Sequence, residues 1–337
     1  MTRANEDLIG GIRQALAAWA RAHAGRAATV DHVHSLGGHS GVTVGFDLTA
    51  ADGTASYVLK ALPPGVPARS NFDLLRQVPL LKALNANQVP APVPVSWSND
   101  PEIFGSPYLI TTRLPGAPFA DIFVEKVTLR DAGEIFFDAV DRLAQIHAIN
   151  AKELLKDWDK PRPVFAEIDH WISVLRKSSD AAWISAGVAL AETLRSQAPQ
   201  QDSVGLVHGD YYSNNWLSDG GRLTGIVDWE GTSLGPSLLD LGWLCMIYDS
   251  ASWVEDRGGL DWAPPAEAMI ARYAQSSGMD VSQIGWYRAL AGYRLACLTA
   301  YYFELHRTGK RHNPAWNVFA RSFTRMVDRA HGLLATK

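Results

Sequence analysis

Leu8, Ile12, Leu16 and Trp19 recur at intervals of three and four between residues 6 and 23. That spacing predicts an amphipathic helix packed on its own domain. From Val30 the pattern changes. Val42 to Leu48 and Ser56 to Lys60 read as strands, with a turn at Ala51-Asp52-Gly53-Thr54 and a glycine-rich loop, Gly37-Gly38-His39-Ser40-Gly41, before the first. Pro107 to Thr112 is a further strand. Phe72 to Leu84 reads as a helix, although Pro79 must either kink it or mark where a shorter segment restarts. Pro90, Pro92 and Pro94 set an extended connector, and Arg113-Leu114-Pro115-Gly116 a linker.

Beyond the linker, helical spacing dominates. Thr128 can cap a long helix carrying Ile135, Phe136, Val140, Leu143, Ile146 and Ile149, with His147 beside that stripe as a core histidine. Further helices are predicted near Trp171 to Leu175 and Ala181 to Leu194, and over Ala266 to Ser276, Ile284 to His306 and Trp316 to Leu334. Leu238 to Tyr248 is apolar around Asp240. One stretch inside this half is different. Leu206 to Glu230 reads as short strands around the turn Asp219-Gly220-Gly221, and it concentrates His208, Asp210, Asn214, Asn215 and Asp228. Two carboxylates and an amide can hold a hard cation through oxygen and leave one carboxylate free as a base. The chain therefore divides into a strand-rich portion, 1–112, with an extra N-terminal helix, and a helical portion, 113–337.

Composition narrows the class without changing this outline. The 337 residues are 47% hydrophobic and 20% charged, with net charge −4. This is an ordinary globular composition and no nucleic-acid signature. No run reaches transmembrane length, and charged residues interrupt any apolar signal core near the start. Cys245 and Cys297 lack metal-ligand spacing and lie in apolar surroundings, so a cytoplasmic location is expected. Lys60 ends an apolar strand, where either a phosphate partner or a solvated strand end accounts for it.

The segment His208-Gly209-Asp210-Tyr211-Tyr212-Ser213-Asn214-Asn215 resembles the H-x-D-x-x-x-x-N catalytic loop of the aminoglycoside phosphotransferase family. Ile226-Val227-Asp228-Trp229-Glu230 is similar to that family's metal-binding segment, and Leu109 to Gly116 to its interlobe segment. Gly235-Pro236 followed by Asp240-Leu241 also fits. The resemblance implies an α+β, bilobal protein-kinase-like fold with a small antiparallel-sheet N-lobe and a larger helical C-lobe. It implies a small-molecule kinase that uses Mg²⁺ and moves the γ-phosphoryl of ATP or GTP to a hydroxyl. On this reading Asp210 is the base, with His208 supporting its loop, and Asn215 and Asp228 are the metal ligands. Lys60, Gly38, Ser40, Gly41, Thr43, Gln77, Thr111, Thr112 and Arg113 contact the nucleotide. The expected partner is a small hydroxyl-bearing molecule, with no nucleic acid or membrane, acted on by a monomer or homodimer.

Two departures from the family pattern stand out. The helix position that should carry a glutamate for Lys60 carries Gln77, with Asp73 as a possible substitute. The last 37 residues hold seven basic and two acidic residues, which disfavours a polycationic sugar and favours a neutral or anionic metabolite, such as an acyl thioester or a phosphorylated compound. The alternatives are a catalytically weak nucleotide-binding protein and a metal-dependent hydrolase.

Overall fold

The computed structural model describes residues 3–37, 41–62, 73–119, 129–154, 158–200, 204–254 and 262–336. The chain forms two compact units, Met1–Pro115 with Gly225–Glu230, and Gly116–Thr224 with Gly231–Lys337. The boundary expected after residue 112 thus falls three residues later, and the segment carrying Asp228 groups with the N-terminal unit.

The first unit is a five-stranded antiparallel sheet with a helix on it. In chain order it contains α1 (Arg3–Ala24), β1 (Thr29–Ser35), β2 (Val42–Ala50), β3 (Gly53–Ala61), α2 (Gln77–Ala86), β4 (Pro94–Ser98) and β5 (Tyr108–Thr112). The sheet order is β1-β2-β3-β5-β4. Alternation along the strands sends Val44, Phe46 and Leu48 of β2, and Leu59 and Ala61 of β3, into one core. Leu16, Trp19 and Ala20 of α1 close that core. Trp19 packs edge-on against Phe46, and its indole N–H donates to Ser96 Oγ at 3.1 Å. The N-terminal helix is therefore part of its own domain. Lys60 alternates with Leu59 and Ala61 and so emerges on the other face of β3.

Pro79 does not kink a long helix. A 3₁₀ turn at Leu74–Arg76 precedes α2, which starts at Gln77. Pro79 then sits in the first turn of α2, where a backbone N–H has no helical partner to lose.

The second unit carries β6 (Ala117–Pro118), α3 (Leu129–His147), α4 (Ala151–Leu154), α5 (Val164–Leu175), α6 (Ala181–Ser196), β7 (Val204–Val207) and β8 (Trp216–Asp219). Next come β9 (Arg222–Ile226), which ends in the segment grouped with the first unit, and β10 (Ser233–Pro236). It finishes with α7 (Leu238–Ile247), α8 (Ala266–Ser277), α9 (Ile284–Arg307), α10 (Ala315–Arg321) and α11 (Phe323–Ala335). Helix α9 is the hub, packed by α5, α6, α7, α10 and α11. Gly242 of α7 permits close approach, because a Cβ there would lie 2.7 Å from the backbone of Tyr287. An aromatic cluster of Phe119, Phe136, Trp216, Tyr248 and Trp262 fills the space beneath the loop after β7.

Some boundaries differ from the hydrophobic pattern. The helix around Trp171 begins two turns earlier, at Val164 behind Pro163. The helix expected over Trp316 to Leu334 is two helices, broken at the buried Ser322, whose Oγ accepts the Val254 N–H at 3.1 Å. Strand β7 pairs antiparallel with β10, a strand too short to stand out as a pattern. Among the described residues, no helix is long and apolar enough to cross a membrane.

Candidate active site

The loop leaving β7 is held by a buried carboxylate. Asp240, in the first turn of α7, accepts the His208 N–H at 2.6 Å with Oδ2 and the Gly209 N–H at 2.8 Å with Oδ1. His147, at the end of α3, adds its Nε2 at 3.2 Å, while its Nδ1 lies 2.7 Å from the Tyr273 hydroxyl. Burial alone would raise the Asp240 pKa. The His147 hydrogen bond, the electrostatic pull of His147 and His208 and the Gly209 N–H overcome it and leave the carboxyl below its ordinary value. His147 is thus a satisfied core histidine, and its partner is the acid that anchors the loop.

Gly209 is in the left-handed region at φ +87, and a Cβ there would meet the Gly231 carbonyl at 2.6 Å. Only glycine fits that position. His208 is fully buried, and its Nδ1 accepts the Asp210 main-chain N–H at 3.2 Å. The imidazole therefore braces the loop from within. Asp210 itself is half-buried, with its carboxylate accessible. A 3₁₀ turn over Ser213–Asn215 folds the chain back, and Asn215 Nδ2 donates to the Asp210 carbonyl at 2.8 Å and to its Oδ2 at 3.2 Å. With the amide nitrogen committed to Asp210, the amide oxygen of Asn215 faces away from that carboxylate. Tyr248 secures the same turn, receiving the Ser213 N–H and donating to Ser213 Oγ at 2.6 Å.

In the first unit, Lys60 Nζ lies 3.9 Å from Asp228 Oδ1. Asp228 is one of few non-glycine residues with positive φ, at +67. Such backbone conformations cost energy and concentrate at functional positions. Thr43 is the cross-strand partner of Lys60, so the end of the glycine-rich loop lies beside the lysine. Gly41 precedes β2, while Gly38 and Ser40 lie outside the described residues. Thr111 and Thr112 pair with Val58 and Tyr57, and the Arg113 N–H donates to the Ser56 carbonyl at 2.9 Å.

Gln77 does not take the glutamate's place. It is buried, with its Nε2 unpartnered among the described residues, and Lys60 pairs with Asp228 instead. Asp73 caps the 3₁₀ turn, its Oδ1 accepting the Leu75 and Arg76 N–H groups.

Two features were hidden in the sequence. The first is the role of Asp240, which the family pattern marks without showing that it accepts the His208 and Gly209 N–H groups. The second is Arg294, whose Nη2 lies 3.8 Å from Asp210 Oδ1. Three of the seven basic residues near the C-terminus have partners within the fold. Arg307 pairs with Glu304 and Arg329 with Asp249, while Arg311 lies over the Tyr302 ring. Of the aromatics that could have lined a pocket, Trp243, Trp286, Tyr287 and Tyr293 are core, whereas Tyr301 and Tyr302 are half-buried.

Comparison with known proteins identifies the family and the fold. The signature of the Phosphotransferase enzyme family spans residues 39–292, well over half of the chain. Acyl-CoA dehydrogenase family member 11 of Pongo abelii is 25% identical over 261 residues, covering 72% of this chain and 33% of that protein. The chain thus spans about a third of the length of this curated relative. Among solved structures, a Ralstonia eutropha protein provisionally designated an aminoglycoside phosphotransferase superposes with a TM-score of 0.77 at 21% identity, over 95% of this chain and 97% of that one. Spectinomycin phosphotransferase, solved with ADP and spectinomycin, gives 0.62 at 14% identity, over 95% and 98%. At these identities the structural likeness establishes the kinase-like fold.

Proposed function

Since this chain belongs to the phosphotransferase enzyme family, we propose that it transfers the γ-phosphoryl group of ATP or GTP to a hydroxyl of a small molecule. Phosphoryl transfer asks the protein mainly to position two reactants and neutralise developing charge. Asp210 orients the acceptor hydroxyl and takes its proton as the oxygen attacks. His208 and Asp240 hold the main chain on which that carboxylate sits. Lys60 contacts the nucleotide phosphates, with Gly41 and Thr43 beside them, and Thr111 to Arg113 offer main-chain groups to the base.

The residues present fit Mg²⁺, which prefers a few oxygen ligands and completes its shell with phosphate and water. Asp228 supplies an accessible carboxylate and Asn215 an amide oxygen. Held there, the ion would neutralise the charge of the nucleotide phosphates.

One observation carries the reading. Asn215 donates to both the carbonyl and the carboxylate of Asp210, which fixes the base without neutralising it. A noncatalytic nucleotide binder has no need of that restraint. The acceptor is better sought among neutral or anionic metabolites than among polycationic antibiotics, because Arg294 places positive charge beside the base. The name of the curated relative adds acyl thioesters bearing a hydroxyl to the candidates.

The experiment is ATP- and GTP-dependent phosphorylation across a panel of hydroxyl acceptors, with aminoglycosides included. Turnover of a neutral or anionic acceptor that requires Asp210 supports the proposal. Efficient phosphorylation of aminoglycosides alone contradicts the substrate assignment, and turnover that persists in Asp210→Asn contradicts the role of the base.

A further inference from the structure

Between Trp286 and Ala300, helix α9 is buried at every residue except Arg294 and Leu298, one turn apart. The half-buried face continues through Tyr302. This is the only accessible stripe on that part of the helix, and Asp210 lies against it. The guanidinium of Arg294 is held in place from below, 4.0 Å over the ring of Trp243 and 5.1 Å from that of Trp171. Stacking of this kind fixes the plane of the fork and leaves its edges free to donate.

Those edges are only loosely committed. Among the described residues the guanidinium makes no hydrogen bond, its Nε is buried without a partner, and its one carboxylate contact is the long ion pair with Asp210 Oδ1 at 3.8 Å. Arg288 on the same helix is different, since its Nη2 donates to Asp249 Oδ2 at 3.0 Å. One arginine of α9 is thus hydrogen-bonded into the fold, and the other is stacked, oriented and paired only loosely with Asp210. Tyr302 shares its surroundings. Burial raises the phenol above its ordinary value, Tyr301 and the Asp210 carboxylate add to this, and Arg294 offsets it.

We infer that Arg294 is a specificity-determining residue that receives an anionic group, carboxylate or phosphate, of the acceptor whose hydroxyl meets Asp210. The inference rests on the proposed role of Asp210. It deepens that reading by confining the anion. Hydrogen bonds of about 2.8 Å at either end of the 3.8 Å gap limit hydroxyl and anion to a separation of about 9 Å. The substrate class is therefore a hydroxy acid or hydroxyalkyl phosphate with both groups on one short segment, and a remote phosphate does not satisfy it.

The test uses the full chain and matched probes: 3-hydroxybutyrate against 1,3-butanediol, and sn-glycerol 3-phosphate against glycerol. Binding and ATP-dependent phosphorylation are measured for wild type, Arg294→Gln and Arg294→Lys, with MgATP binding as a control in each. At least one anionic probe is expected to bind wild type far better than its neutral counterpart, and the carboxylate and phosphate arms identify the anion. Arg294→Gln should weaken that probe by about 10- to 100-fold, mainly in KM, and leave MgATP binding unchanged. Arg294→Lys, which keeps the charge without the fork, should fall between them. Equal binding of neutral and anionic probes overturns the inference. So does failure of every anionic probe to bind wild type, or anion binding undiminished in Arg294→Gln. If Arg294→Gln does not fold, Arg294→Lys decides, and undiminished anion binding by it overturns the inference. Loss of MgATP binding by wild type itself contradicts the phosphotransferase reading instead.

Discussion

Asp210 and Asp228 have the same side chain and different constraints. Asp210 is restrained by Asn215 and keeps an accessible carboxylate. Replacing it with asparagine preserves shape and removes the base. The expected result is a fall in kcat of about 10²- to 10⁴-fold with nucleotide affinity retained, measured by steady-state kinetics alongside nucleotide titration. Asp228 is restrained by its backbone. At φ +67, asparagine is tolerated nearly as well as aspartate, whereas alanine pays the left-handed penalty. Asp228→Ala should therefore be less stable than Asp228→Asn by about 1 kcal/mol in chemical denaturation, with both impaired in metal binding. Equal stability of the two variants would mean that the backbone is not strained there.

At the scale of elements, Asp240 ties α3, α7 and the loop after β7 together. Its pKa is depressed, so its folded value lies below its unfolded one. The stability it contributes is fully present above the ordinary carboxylate pKa and is lost as pH falls through the folded value. Asp240→Asn should cost on the order of 3 kcal/mol at neutral pH. It should also flatten the decline of stability below about pH 4, as measured by denaturation across pH. The α7–α9 contact depends on the missing side chain of Gly242. Gly242→Ala should destabilise by about 1–3 kcal/mol through backbone overlap, despite alanine's better helix propensity. A stabilised variant would show that the helices can part there at no cost.

Much of this was readable before the structure. Period-two and period-3.6 patterns located the sheet and the helices, and local motifs marked Asp210, Asn215, Asp228 and Lys60. The unreadable part is long-range. Nothing near Gln77 reveals that Lys60 pairs with Asp228, 168 positions further along the chain. Nor does the pattern show that the helix breaks at Ser322, whose Oγ accepts a distant N–H. Arg294 sits in an apolar helix whose sequence has no motif, and its meaning comes only from Trp243 and Asp210 approaching it from other elements.

For the whole molecule, the residues assigned to nucleotide and metal come mainly from the unit of Met1–Pro115 with Gly225–Glu230, and those assigned to the acceptor from the other unit. Lys60 and Asp228 are neighbours within the first, and Asp210, Asn215 and Arg294 within the second. Nucleotide binding and acceptor binding should therefore respond to different substitutions. Arg294 variants should leave the nucleotide untouched, and Asp228 variants should leave binding of the acceptor alone untouched. The central claim is that this chain binds a nucleotide through a magnesium ion held by Asp228. The most direct measurement is a calorimetric titration of ATP with and without Mg²⁺, in wild type and in Asp228→Asn. The account predicts Mg²⁺-dependent binding in wild type and loss of that dependence in the variant. Binding that is indifferent to Mg²⁺ in wild type, or a Mg²⁺ dependence that survives in Asp228→Asn, would contradict it.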